Sequence, residues 1–532
     1  MGIITEETGE NSLKDEDDTN NMNISKNTKL LFNRYLIIWI FKIIQKKSVN
    51  LWPSIVFLKK NRKQGFAIRT RKTGIINHFK IIYMVKTAIR DVPRNGISED
   101  DAFGLTAYEK GLETFLRGAE TPITIAIQGE QGSGKTSLMN VLHDNLCGED
   151  DKSGEFFPIW MNTEELTLMR DPLDAIRHIL IKLSKEVVSC RRSAFREIDS
   201  KILNSIMGLG AVLTKTVGNT YLNGAVDGIQ EYIKNSQDNA IADLRKYIQA
   251  EMDECLQKNE GKKGFVFFID DMDRIDPPLA VDLLVLLKNI FALKNCILVL
   301  TIDDDVVLKG LKPKYGEIND TNEYEFRSFY DKIIQVHFTM PVNQYATMDY
   351  LIEELKSMGI ISSRDEHNKK FLENIVKVEN LTMGSNPRSI KRYLNALSLM
   401  QCINQARETN VRNHAPTAEG KDRSLNILLH LALAGVQLAY PKVYQLLCVE
   451  PDITKWNNSI AEKLNVPLID EDAMEGTEAF DEDWEKVLYR VCQSDKYLQK
   501  NTSKIFQLLN FLRTEILSSP TIDVEQNLRG CI

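Results

Sequence analysis

The feature that most narrows what this chain can fold into is a strand that runs directly into a glycine-rich turn and then a helix. Ile123-Thr-Ile-Ala-Ile127 is an alternating, β-branched run that reads as a strand. It passes into Gly129-Glu-Gln-Gly-Ser-Gly-Lys-Thr136, and Ser137-Leu-Met-Asn-Val-Leu142 begins a helix. This is the pattern G-x-x-x-x-G-K-[ST] in the strand–loop–helix context it requires. Gly132 and Gly134 allow the backbone angles and close approach by which successive N–H groups surround phosphate oxygens. The helix starting near Lys135 adds its positive dipole end. Lys135 would reach the β- and γ-phosphates, and the Thr136 hydroxyl would ligate Mg²⁺. The candidate nucleotide-binding residues are therefore Gly129, Glu130, Gln131, Gly132, Ser133, Gly134, Lys135, Thr136 and Ser137. An ordinary glycine-rich turn before a helix is the competing reading, weakened by the strand in front of it.

Such a site needs a second, buried strand that ends in acid. Gly264-Phe-Val-Phe-Phe-Ile269 is continuously apolar, as a strand covered on both faces should be, and it ends in Asp270-Asp271-Met-Asp273-Arg274. Asp270 is placed to hold Mg²⁺ through its water shell, and Asp271 to orient or deprotonate an attacking water. Helix capping is the alternative for these acids, with Pro277 and Pro278 in the first turn of the next helix; Asp273 or Asp276 can serve that way. A helix over Leu279–Leu293 and a strand Cys296–Ile302 complete a βαβ unit, so a parallel sheet is expected. That strand ends toward the nucleotide crevice, where Thr301 or Asp303 would sense the γ-phosphate or merely form a strand-end turn.

These runs resemble the KAP family of P-loop NTPases. The resemblance is carried by Thr121–Leu138, Phe268-Ile-Asp-Asp-Met-Asp-Arg274, Val299–Val307, Phe329–Val336 and Asn386-Pro-Arg-Ser-Ile-Lys-Arg-Tyr-Leu-Asn395, in family order over about residues 100–400. It implies an α/β P-loop fold of the ASCE/STAND-like type, a parallel sheet with flanking helices followed by an all-α C-terminal region. It also implies ATP and Mg²⁺ as cofactors, an acid beside the Walker B Asp as catalytic base, which Asp271 supplies, and a basic residue of a helical lid that reaches the nucleotide. Arg388 is the candidate for that role, ahead of Lys391 and Arg392, with a surface helix-start residue as the alternative. Arg274 pairs with neighbouring carboxylates or acts on a neighbouring subunit's nucleotide.

Many KAP proteins carry transmembrane helices between the two halves of the site. Here the corresponding insertion, about residues 185–245, holds Ile202–Leu213, broken by Asn204 and shorter than the roughly 18–20 residues a span needs. A cytoplasmic protein follows, with peripheral membrane association through residues 30–60 as a further possibility, because Tyr35–Phe41 is apolar and flanked by Arg34, Lys42, Lys46 and Lys47.

Charge divides the chain. Residues 1–25 carry a net −6, residues 26–90 carry +16 with no acid at all, and the rest carries −17 of the total −7. An arm ahead of an acidic globular body is expected, either a basic anchor or an upstream extension with Met84 as the start. The acidic body argues against strong sequence-independent DNA binding and leaves nucleic acid as a question for residues 26–90 alone. The eight cysteines lie at least 39 positions apart, in no metal-binding spacing. The expected organisation is an extension over 1–90, a P-loop domain over 91–345, a helical lid over 346–415 and a helical domain over 416–532. Residues 470–485, with nine acids and no base, read as a solvated loop and helix start.

Three functions fit: an ATPase cycling a lid within a multi-protein assembly, a non-turnover nucleotide-dependent oligomerisation switch, and a membrane-associated scaffold. Asp271 favours the first, since a pure binding module needs no base. The family resemblance adds homo-oligomerisation, separately encoded effector proteins and a setting in antiphage defence.

Overall fold

The computed structural model describes residues 57–60, 66–69, 86–150, 153–169, 172–190, 200, 202–207, 240–316, 323–410, 421–463 and 482–518. The chain divides into two compact units, Met1–Met84 and Val85–Ile532. In the first, Phe57–Lys60 pairs antiparallel with Phe66–Arg69. The apolar run Tyr35–Phe41, Met84, residues 208–213 of the insertion and the acidic run 470–481 lie outside the described residues.

The second unit is built on a five-stranded sheet: β1 (Ile123–Gln128), β2 (Phe156–Asn162), β3 (Gly264–Asp270), β4 (Cys296–Ile302) and β5 (Val336–Thr339). Its order is β2-β3-β4-β1-β5, and every pairing is parallel. Every residue of β3 and β4 is buried, so helices must cover both faces, and the sheet separates two apolar layers. Phe265, Phe267 and Ile269 point into one layer, and Val266 and Phe268 into the other. Each such side chain, wholly removed from water, contributes about 1.5–3 kcal/mol.

Helices fill the connections: α1 (Thr106–Gly118), α2 (Lys135–Cys147), α3 (Pro172–Ser189), α4 (Ala240–Lys258), α5 (Pro277–Phe291), α6 (Asp304–Tyr315) and α7 (Glu323–Ile333). α5 starts at Pro277-Pro278, where a missing N–H costs nothing, and it is buried almost all round. Ile202 and Ile206 of the insertion are buried in the same layer as α3 and α4.

The rest of the unit is helical: α8 (Thr347–Ser357), α9 (Lys369–Thr382), α10 (Pro387–Asn410), α11 (Lys421–Ala439), α12 (Pro441–Val449), α13 (Asn458–Lys463), α14 (Asp483–Gln493) and α15 (Lys496–Phe511). These share a core of their own, in which Trp456 and Trp484 are buried. Each indole N–H is satisfied, Trp456 Nε1 by the Glu450 carbonyl at 2.8 Å and Trp484 Nε1 by Glu482 at 2.7 Å. Glu482 and Glu485 form a capping box at the start of α14. The α/β class with a parallel sheet, followed by a helical C-terminal region, is thus the architecture expected from the sequence.

Candidate functional site

Parallel register brings the carboxyl ends of the strands together, and that places the chemistry. Asn162 pairs with Asp270 across β2 and β3, while Ile127 pairs with Thr301 across β1 and β4. The turn after β1 and the acids after β3 therefore meet although well over a hundred residues separate them. A cavity of about 710 Å³ opens over this edge, lined by the P-loop, Asp270, Asp271, Asp273 and Arg274, with Arg388, Lys391 and residues 86–94 among its other walls.

The glycine turn has the geometry its sequence calls for. Gly132 has φ +88° and Gly134 φ +103°, a region that side chains with a Cβ rarely enter. A Cβ on Gly132 would also lie 2.5 Å from Cβ of Arg388. The P-loop is so closely covered by the first turn of α10 that only hydrogen fits there. Asn386 Nδ2 donates to the Gln131 carbonyl at 3.1 Å, and Tyr345 Oη to the Ser133 carbonyl at 2.7 Å.

Lys135, at the first position of α2, is almost fully buried, and its ammonium donates to the carbonyl of Gly129 at 2.6 Å and to Asp273 Oδ2 at 3.0 Å. Both side chains of this ion pair are 8% exposed, so each charge depends on the other for its solvation. Of the two roles open to Asp273, helix cap and site residue, the pairing with Lys135 is the second; Asp271 just before it has a left-handed φ of +60°. Asp276 holds the N-cap position of α5 without a side-chain capping bond.

Asp270 is 2% exposed and sits among converging donors. Its Oδ1 accepts from Thr136 Oγ1 at 3.2 Å, from Thr301 Oγ1 at 2.5 Å and from the Asp271 amide at 2.9 Å. Burial pushes its carboxyl above the usual range and Asp271 adds to that, while the Thr301 and Thr136 hydroxyls pull it back. Thr301 is therefore the strand-end residue that joins the site. Asp303 is not: it caps α6 by accepting the Asp305 amide at 3.1 Å.

Both oxygens of Asp271 are engaged. Oδ2 accepts from Asn162 Nδ2 at 2.9 Å, and Oδ1 faces Arg274 Nε at 3.1 Å. Arg274 also reaches Glu164, so within this chain it joins carboxylates on either side of the site. Arg388 lines the cavity and pairs through Nε with Asp91 Oδ2 at 2.8 Å. Lys391, one turn on, is pushed down by burial, chiefly, with Asp91 opposing. Asn162, Asp91 and Tyr345 were not singled out from the sequence. β2 contains Pro158 and β5 has only four residues, so neither strand announces itself, and without β2 nothing connects Asn162 to Asp271.

Residues 106–404 match the model of the KAP family P-loop domain. The chain belongs to the KAP family. No curated protein matches it. Membership implies nucleotide binding and suggests NTP hydrolysis, and the matched region spans the sheet, the P-loop, both acids after β3 and most of α10. Among the described residues, no helix of this KAP protein is long and apolar enough to cross a membrane.

Proposed function

We propose that this KAP protein hydrolyses ATP with Mg²⁺ and uses the cycle to move its helical lid within a multi-protein assembly. The observation that carries this reading is the convergence of Lys135, Thr136, Asp270 and Asp271 at the ends of two strands that are not neighbours in the sheet. The residues present fit a hard divalent cation: a hydroxyl and a carboxylate oxygen lie 3.2 Å apart, with hard oxygen donors and no sulfur or imidazole between them. Thr136 and Asp270 would hold Mg²⁺, which when bound neutralises charge developing on the phosphate oxygens. Lys135 exchanges its carbonyl and Asp273 contacts for phosphate oxygens, the amides of residues 129–137 surround the phosphates, and Arg388 reaches them from the lid.

Asp271 orients the attacking water and takes its proton. A carboxylate oxygen has two acceptor directions, so the bonds to Asn162 and Arg274 leave room for a water on each oxygen. They also hold both oxygens in place, which favours a gated turnover in which the lid or a partner frees Asp271 first. That is the point of contact with the second reading, a nucleotide-dependent oligomerisation switch with slow hydrolysis. The domain limits 91–345, 346–415 and 416–532, a homo-oligomeric state, separately encoded effectors and a setting in antiphage defence belong to the same proposal and rest on the family resemblance.

Steady-state phosphate release with ATP and Mg²⁺ tests the reading, comparing the wild type with Asp271→Asn at matched nucleotide occupancy. A base and water-positioning residue contributes roughly 10²–10⁴-fold, so turnover falls by that factor while affinity stays within a few-fold. Equal turnover in the two proteins contradicts the assignment of Asp271.

A further inference from the structure

The segment that enters the second unit, residues 86–97, runs like a strap from the lid to the P-loop helix. On the lid side Lys86 pairs with Glu354 of α8 at 2.6 Å. Asn395 of α10 grips the Ile89 peptide twice, accepting its N–H at 2.7 Å and donating to its carbonyl at 2.9 Å. Lys391 donates to the Val92 carbonyl at 3.4 Å. On the other side the chain is held by α2: the Arg94 amide donates to Ser137 at 3.0 Å, Asn140 donates to the Arg94 carbonyl at 2.8 Å, and the Ile97 amide donates to Asp144 at 3.0 Å. Asp91 lies between the Ile89 and Val92 anchors on the lid side, just ahead of the Arg94 anchor on α2, and its side chain is the one that faces Arg388.

We propose that Asp91 is the resident counter-ion of Arg388, an anion of the protein itself that nucleotide phosphate must displace, and that the strap thereby changes its hold on the lid when the site fills. The proposal rests on the reading of Arg388 as the lid residue that reaches phosphate. The Arg388 guanidinium and the Asp91 carboxylate line the same cavity as Lys135 and Thr136, so both anions have access to one cation. Backbone fit fixes the root of Arg388 on Gly132, which leaves the far end of its side chain to choose between partners. The Asp91 contact is an ion pair at Nε that lacks hydrogen-bond geometry, with side chains 31% and 40% exposed. A phosphate can engage the planar guanidinium through two parallel bonds, which favours the nucleotide. Loss of Asp91 as partner loosens the strap at its midpoint, between the Ile89 grip and the Arg94 grip. Nucleotide occupancy is then reported along the strap toward Lys86.

Asp91 is a positioning residue in this scheme, and a double-mutant cycle isolates its effect. The probe is a slowly hydrolysed ATP analogue with Mg²⁺, and the protein is the full chain. An ion pair this exposed is worth at most about fivefold in an equilibrium constant. Asp91→Asn should therefore tighten analogue binding about two- to fivefold, Arg388→Ala should weaken it, and Asp91→Asn should add nothing in the Arg388→Ala background. The same gain in both backgrounds, or no gain in either, overturns the competition. Amide hydrogen exchange provides a second readout: exchange at Ile89, whose amide Asn395 holds, should rise in Asp91→Asn and in Arg388→Ala without nucleotide, and in the wild type when the analogue is added. Unchanged exchange in the two variants overturns the strap's dependence on the pair. Wild-type protein that fails to bind the analogue at all overturns the nucleotide reading instead.

Discussion

Two buried carboxylates, one at the edge of the sheet and one in the helical layer, show how differently two surroundings in this unit treat a charge. Asp270 is 2% exposed and accepts hydrogen bonds from two hydroxyls and a backbone amide. Glu379 on α9 is 1% exposed, and neither of its oxygens has a hydrogen-bond partner among the described residues. Burial raises both above the ordinary carboxylate range, and Glu379 reaches about 7. A carboxylate that donors surround can stay charged and do chemistry; one without donors relieves its burial by holding a proton. The difference is local, because Asp282 on α5, in the sheet half, also has an oxygen without a partner among the described residues and is also raised by burial to about 7.

The largest effect that sharpens this contrast is expected at Asp270. Asp270→Asn keeps the shape but removes the charge that would hold Mg²⁺, so Mg²⁺-dependent phosphate release should fall by roughly 10²–10³-fold, read in a metal titration. Thermal stability should hold or rise, because a raised carboxyl is a cost to folding at neutral pH. A large loss of stability with turnover intact would place Asp270 in the scaffold and remove the contrast.

Glu379 should behave in the opposite way. Below the unfolded value of 4.5 both states are protonated and the group contributes nothing to the pH dependence. Between 4.5 and about 7 the unfolded chain releases the proton while the folded chain keeps it, so stability falls as pH rises through that window and then levels off. Glu379→Gln should flatten that fall, raising stability at pH 8 by up to about 3 kcal/mol in chemical denaturation, with nucleotide turnover unchanged. A slope as steep as that of the wild type would mean the carboxyl is charged in the fold and has a partner after all.

Thr301→Val is a smaller perturbation on the sheet side. It removes the hydroxyl that bridges the Asp270 carboxylate and the Asp271 amide, at 2.5 and 2.9 Å, with little change in volume. The loss of that link should cost about 1–3 kcal/mol of stability and raise the Asp270 carboxyl further, lowering the apparent Mg²⁺ affinity. The smallest effect is expected at the lid, where Lys86→Ala removes an ion pair whose lysine is 42% exposed. About 0.2–1 kcal/mol is expected there, and exchange protection at residues 86–89 reports it more readily than melting does.

The sheet-edge half was far more legible in the sequence than the other walls of the cavity, for a physical reason. The P-loop and the acids after β3 are runs whose composition is dictated locally, by backbone angles, by a helix terminus and by burial on both faces. Lys135, Thr136, Asp270 and Asp271 could be named because each sits in such a run. Asn162 could not, since its role depends on the register of β2 against β3 and β2 hides behind Pro158. Asp273 is visible as an acid that can cap the next helix, join the site or do both, and nothing local reveals that it pairs with Lys135. The Asp91–Arg388 pair joins residues almost three hundred positions apart and carries no local signature. The helical patterns over Met348–Met358, Lys369–Val378, Arg388–Ala396, Leu425–Ala439 and Trp484–Cys492 fall on α8, α9, α10, α11 and α14, which were foreseeable from apolar periodicity. The short α12 and α13 were not, because a turn or two of helix shows little periodicity.

The central claim is that this edge of the sheet receives nucleotide phosphate through Lys135. Equilibrium binding of ATP with Mg²⁺, by calorimetry on the wild type and on Lys135→Ala, tests it most directly. Removing the ammonium deprives the phosphates of their closest cation and leaves the Asp273 carboxylate to repel them, so affinity should fall by about 100-fold or more. An affinity for Lys135→Ala equal to that of the wild type would show that the nucleotide sits elsewhere, and the site described here would be wrong.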